Sequence, residues 1–190
     1  LVLLVSLAAC GGTAEPVASA SASASSAASS SAAPSESAAA ADGPILNVHF
    51  DVEVASMDPQ IATDGTSFEC IAAITEGLYS IDAAGAPVPA MAESVAKSED
   101  GLTLTYTLRD AKWSNGTAVT ANDFVFAWRR LVDPAVASEY SFIAEIAGLK
   151  NAAAVMKGEM KPDQLGVSAK DDKTLVVTLD VPVPYFESLM

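Results

Sequence analysis

Apolar and polar positions change their spacing several times along the chain, and each change marks an element. The first ten residues, Leu-Val-Leu-Leu-Val-Ser-Leu-Ala-Ala-Cys, are almost unbroken apolar sequence, and from Gly11 to Gly43 no period is present at all. Ile45-Leu46-Asn47-Val48-His49-Phe50 alternates and predicts a short strand, with His49 as a strand residue. Asp58-Pro59 and Asp64-Gly65-Thr66 carry loop signals. Between Ser67 and Leu78 the apolar residues Phe68, Ile71, Ala72, Ile74 and Leu78 recur at helical spacing, and Gly77 suits the helix end.

Period two returns in Thr103-Leu104-Thr105-Tyr106-Thr107-Leu108-Arg109, which predicts a half-buried strand. Asn115-Gly116 marks a turn just after Trp113. Thr120-Ala121-Asn122-Asp123 has the form of a capping box, with Asp123 near the positive end of a helix that runs through Phe124, Trp128 and Leu131 and stops by Asp133-Pro134. Helical stretches follow at Phe142 to Leu149 and Ala152 to Lys157. A further alternating strand spans Thr174 to Leu179, and Val181-Pro182-Val183-Pro184 leaves it. The expectation is a mixed α and β fold with hairpins and short helices.

Composition sharpens this outline. The 190 residues are 51% hydrophobic, but much of that is alanine in the stretch before Pro44, so the core must come from the residues after it. The net charge is −14, from 24 acidic against 10 basic residues. An acidic surface repels phosphate backbones, which argues against a nucleic-acid partner. Two cysteines and one histidine cannot form a clustered zinc site, and no metal or other cofactor is expected. Cys10 and Cys70 could pair, but Cys10 has a better explanation, and Cys70 reads as a small buried hydrophobe.

The opening apolar run is too short to span a bilayer, which takes about 20 residues. It has the length of a signal-peptide core and ends in small residues. Leu7-Ala8-Ala9-Cys10 resembles the lipobox of bacterial lipoproteins, which implies cleavage before Cys10 and a diacylglyceryl group on its thiol. From Gly11 to Gly43 the chain is nearly all Ala, Ser, Gly, Pro and Glu, with Val17 its only large aliphatic residue. Such a segment cannot bury enough apolar surface to offset the entropy of ordering it. It is expected to be a tether, and roughly 30 such residues span about 30 Å root-mean-square. The expected divisions are therefore a signal remnant ending in the lipobox cysteine at 1–10, a tether at 11–44 and a folded part from 45.

Within the folded part, Asp100-Gly101-Leu102-Thr103, the run Leu108-Arg109-Asp110-Ala111-Lys112-Trp113-Ser114-Asn115-Gly116-Thr117, and Val119-Thr120-Ala121-Asn122-Asp123-Phe124 follow in order. Glu76-Gly77-Leu78 and Met91-Ala92-Glu93-Ser94 lie upstream. Downstream come Val132-Asp133-Pro134, Ala137-Ser138-Glu139-Tyr140 and Pro182-Val183-Pro184-Tyr185-Phe186. This series resembles the peptide/nickel family of ABC-transporter solute-binding proteins, and within it the oligopeptide-binding branch. The resemblance covers nearly all of Ile45 to Met190. Taken alone, these motifs are turns and a capped helix start, so they hold the fold without locating a site.

The resemblance implies a two-lobed periplasmic-binding-protein-like fold with a cleft. Residues 45–80 begin the ligand-binding lobe, 81–190 form most of an accessory subdomain, and the second lobe is absent. It implies a monomer outside the cell, lipid-anchored to the cell membrane, which takes up oligopeptides and delivers them to an ABC permease in that membrane. Peptides in this branch lie extended and are gripped through their main chain, as an added strand is. By position, the ligand-contacting loop maps onto Thr63, Asp64, Gly65 and Thr66, and a ligand-facing tyrosine onto Tyr140. The plainer alternatives are a turn residue for Asp64 and core packing for Tyr140. Dipeptide, nickel-chelate or sugar cargo, and a peptide-sensing receptor, share the fold. An enzyme built on Asp51 and Glu53, or Asp58 and Asp64, is the rival of another class, but no nucleophile motif accompanies these acids, and none is expected.

Overall fold

A computed structural model of the chain describes residues 47–190. The apolar opening run, Cys10 and the Ala/Ser-rich stretch lie outside the described residues, as do Ile45 and Leu46.

The helix foreseen from Ser67 starts two residues earlier, as α1 (Gly65–Ile74). Asp64 sets that start: its backbone is extended and its Oδ1 accepts from the Ser67 amide at 2.8 Å, an N-cap bond. The helix also ends before Gly77. Thr75 is extended, and its hydroxyl donates to the Ile71 carbonyl at 2.7 Å. Gly77 serves close approach instead, because a Cβ there would collide with the Met190 carbonyl. The strand expected at Ile45 to Phe50 is not formed over 47–50. These residues alternate as a strand does, but among the described residues no strand pairs with them, and Val48 stays exposed. Cys70, expected to be buried, is half-buried, because the inner face of α1 is carried by Ser67 and Ile71.

Two ladders follow. β1 (Tyr79–Ile81) and β2 (Pro87–Pro89) pair antiparallel, and Asp82 Oδ1 closes their turn by accepting from the Ala84 and Ala86 amides at 2.8 and 2.9 Å. β3 (Ala92–Lys97), β4 (Thr103–Leu108), β5 (Val167–Asp171) and β6 (Thr174–Thr178) form an antiparallel sheet in the order β3-β4-β6-β5. Alternation along β4 sends Leu104, Tyr106 and Leu108 inward, as their spacing predicted. Register places Leu104 opposite Val177, Tyr106 opposite Leu175, and Val167 opposite Val177, so one apolar row crosses three strands.

The helix α2 (Ala121–Val132) packs over β5 and β6 with Ala121, Val125 and Val132 turned inward. Its start is the foreseen capping box: the Asp123 carboxylate accepts from the Thr120 amide at 2.7 Å and from the Thr120 hydroxyl at 3.1 Å. Asn115-Gly116 makes the expected turn, with the Gly116 amide donating to the Trp113 carbonyl at 2.8 Å and φ of Gly116 at 87°. α3 (Phe142–Ile146) and α4 (Ala152–Met156) are shorter than their apolar runs suggested and bury Ala144, Ala152 and Val155. Phe186, wholly buried, packs its ring edge-on to Trp128 and completes this core.

A candidate ligand-binding face

The site proposed from sequence begins with the chain that leads into α1. At Asp58 the backbone turns, with the Ile61 and Ala62 amides donating to the Asp58 carbonyl at 3.0 and 2.9 Å. The Asp58 carboxylate holds this turn to α2. Arg130 donates to both of its oxygens, at 2.6 and 2.5 Å, and to the Gln60 side-chain oxygen at 2.5 Å. Fork-to-carboxylate pairing of this kind fixes orientation as well as distance. The Arg130 hydrogen bond holds the Asp58 carboxyl below its ordinary range, and Asp58 in turn raises the Arg130 guanidinium.

Thr63 and Gly65 are exposed, while Asp64 and Thr66 are half-buried. Nothing lies within 4 Å of where a Gly65 Cβ would stand, so the first turn of α1 opens outward. Asp64 is more than a turn residue: it caps the helix, and the Ser67 hydroxyl and amide hold its carboxyl below the ordinary carboxylate range. Its second oxygen, Oδ2, is closed off from solvent and has no partner. Ser67 is wholly buried, and its Oγ accepts from the Ala55 and Ser56 amides, each at 3.1 Å. One serine therefore stitches the extended approach segment to the helix that follows it.

Tyr140 comes from far along the chain and meets this region at Phe68, on the same turn of α1. The two rings stand edge to face with centroids 5.4 Å apart and planes at 82°. Phe142 continues the row, 5.8 Å from Tyr140. The segment that presents Tyr140 contains Ala137 at φ 54°, a left-handed conformation that non-glycine residues seldom adopt and that tends to mark functional turns. Tyr140 is thus joined through Phe68 to the first turns of α1, the helix that Asp64 caps.

Sequence reading missed Arg130, Ser67, Phe68 and Phe142. Ser67 was visible in principle as the third residue after a capping Asp. Arg130 was not, since its partner Asp58 lies 72 positions away. The rival acids have other employment or none. Asp58 is held by Arg130 and Asp64 caps α1, while Asp51 is fully exposed beside an equally open His49. Among the described residues no cluster of three His, Cys, Asp or Glu could hold a metal ion, and no helix is long and apolar enough to cross a membrane. A cavity of about 570 Å³ lies at the other end of α1, lined by Ile74, Met91, Trp113, Val119 and Phe124. The Arg109 and Glu76 charges at its rim pair with each other.

Comparison with known proteins agrees with this architecture. Residues 86–190 match the bacterial extracellular solute-binding proteins, family 5 (middle region). The periplasmic murein peptide-binding protein MppA of Escherichia coli is 45% identical over 142 residues, 74% of this chain and 26% of that protein. The crystal structure of the substrate-binding domain of an oligopeptide ABC transporter from Bacillus anthracis superposes with a TM-score of 0.68 at 52% identity, covering 71% of this chain and 26% of that one. The Haemophilus influenzae OppA complex with the peptide RPPGFSPFR gives 0.65 at 46% identity, over 70% and 28%. The chain spans about a quarter of the length of the curated relatives it matches. By the match over more than half of its length, and by the mixed α and β fold it shares with these proteins, this chain belongs to the bacterial extracellular solute-binding proteins of family 5.

Proposed function

We propose that this chain is part of an extracytoplasmic lipoprotein that captures oligopeptides through their main chain and delivers them to the permease of an ABC importer. The observation that supports this reading is the contact of Tyr140 with Phe68, which follows Thr63, Asp64, Gly65 and Thr66 by one turn of chain. An open helix start beside a half-buried tyrosine offers amides and a hydroxyl to an extended peptide, and main-chain contacts of that kind tolerate many sequences. Adaptable water around the side chains serves the same tolerance. The relatives point the same way, since one is a murein peptide-binding protein and another is complexed with a nonapeptide-length ligand, RPPGFSPFR.

Residues 1–10 are read as the end of a signal peptide, 11–44 as a tether, 45–80 as the start of the ligand-binding lobe and 81–190 as accessory subdomain. A lipid on Cys10 would hold the monomer at the outer face of the cell membrane, in the periplasm where a second membrane exists. Calorimetric titration of the whole mature protein with unrelated tri- to pentapeptides tests the function. Binding of many of them at micromolar affinity or tighter is expected; no heat from any peptide overturns it. For the anchor, Cys10→Ser is expected to move the protein from the membrane fraction to the soluble one, and retention in the membrane refutes the lipid.

A further inference from the structure

Phe68, Tyr140 and Phe142 form a continuous aromatic row beside the Thr63–Thr66 loop. Centroid spacings of 5.4 and 5.8 Å put neighbouring rings in contact, yet Phe68 keeps 36% of its surface exposed and Phe142 48%. Phe68 and Tyr140 meet edge to face, Tyr140 and Phe142 are tilted by 33° to one another, and the row leaves an apolar wall open. Ile146, four residues after Phe142 and so on the same side of α3, is 49% exposed and lengthens the strip. No cation stands in this stretch, and Glu139 and Glu145 flank the rings in sequence. Phe68 is the fourth residue after the capping Asp64, so wall and loop are carried on one helical turn.

From this geometry we infer that the row is a side-chain subsite, which receives one apolar and preferably aromatic side chain of the bound peptide. The inference rests on the peptide-binding reading above and adds selectivity to it. With the peptide main chain held at Thr63 to Thr66, a neighbouring side chain lies over Phe68 and Tyr140. An aromatic side chain there gains ring contacts and sheds apolar surface from water, whereas a carboxylate meets an apolar wall and loses hydration without return.

The test is a set of tetrapeptides titrated into the whole mature protein. Tetra-alanine is compared with peptides carrying a single Phe, Lys or Glu at each position in turn. At one position Phe is expected to bind about tenfold tighter than Ala, the gain that burial of part of a ring supplies, with Glu weakest there. In Phe68→Ala and Phe142→Ala that Phe-to-Ala ratio is expected to fall to about two or less, and Phe68→Leu is expected to keep part of it. The inference is overturned if no position prefers Phe. It is overturned equally if the ratio survives both alanine variants, or if all peptides weaken together with the ratio kept, since the rings are then only support. Failure of every peptide to bind refutes the peptide-binding reading itself, which separates the two outcomes.

Discussion

The sheet and the segment that approaches it are held together by different physics. β4, β6 and α2 contribute to one core, in which Leu104, Tyr106, Leu175, Val177 and Val125 are all buried. From Ala55 to Phe68 the chain buries only Ala62 and Ser67. What fixes it is a handful of directed bonds: Ser67 to the Ala55 and Ser56 amides, Asp64 to Ser67, and Asp58 to Arg130. Apolar packing is cumulative and insensitive to direction, so it makes a scaffold. Directed bonds set the position of a loop without covering it, which suits a surface that must stay open to a ligand.

Substitutions that break one region and spare the other sharpen this contrast. The largest effect is expected from Leu175→Ala, where a fully buried side chain opposite Tyr106 leaves a cavity. Denaturant unfolding should show a loss of about 3 kcal/mol. A loss below about 1 kcal/mol would mean that the sheet is not the main source of stability. Ser67→Ala should cost about 2 kcal/mol, because the Ala55 and Ser56 amides are left without their acceptor. Hydrogen exchange should accelerate at those two amides and not in β6; an even acceleration throughout would erase the distinction between the regions.

The smallest effect expected is on pH dependence. The carboxyls of Asp58, Asp64, Asp100 and Asp171 are all held below their ordinary value in the folded chain, mainly by hydrogen bonds to their charged forms. A folded-state pKa lower than the unfolded one favours folding above the unfolded value, near 3.9, and that contribution disappears as pH falls through the lowered one. The melting temperature should thus hold from neutral pH down to about 5 and fall below about 4. Asp58→Asn should flatten that acid limb slightly, since the pair with Arg130 is half-open to solvent and screened. An unchanged limb in this variant would show that Asp58 is not among the groups responsible.

Legibility along the chain followed the range of the interactions. The β4 alternation, the Asn115-Gly116 turn, the Thr120 capping box and the stop at Asp133-Pro134 were all readable, because each is decided within a few residues. The ends of α1 were misjudged, since Asp64 and Thr75 overrule the apolar spacing with their own hydrogen bonds. The strands β3 and β5 went unforeseen. Ala92–Lys97 and Val167–Asp171 bury few residues and carry a bulge each, so their pairing to β4 and β6 owes little to their own pattern. In the candidate site, the positions of Thr63 to Thr66 and Tyr140 came through resemblance to a family, and only the fold showed that Phe68 joins them.

The order of polar and apolar residues by itself determined the elements with strong local signals and the mixed α and β class, while the family came through resemblance to known motifs. The elements and the class depend on spacing, capping and turn chemistry, all written in neighbouring residues. The tertiary structure alone decided that Arg130 grips Asp58, that Ser67 ties the approach segment to α1, and that three rings form an open wall beside the loop. Each of those joins positions well separated along the chain, and a contact between distant residues comes into being only when the whole core has brought them together.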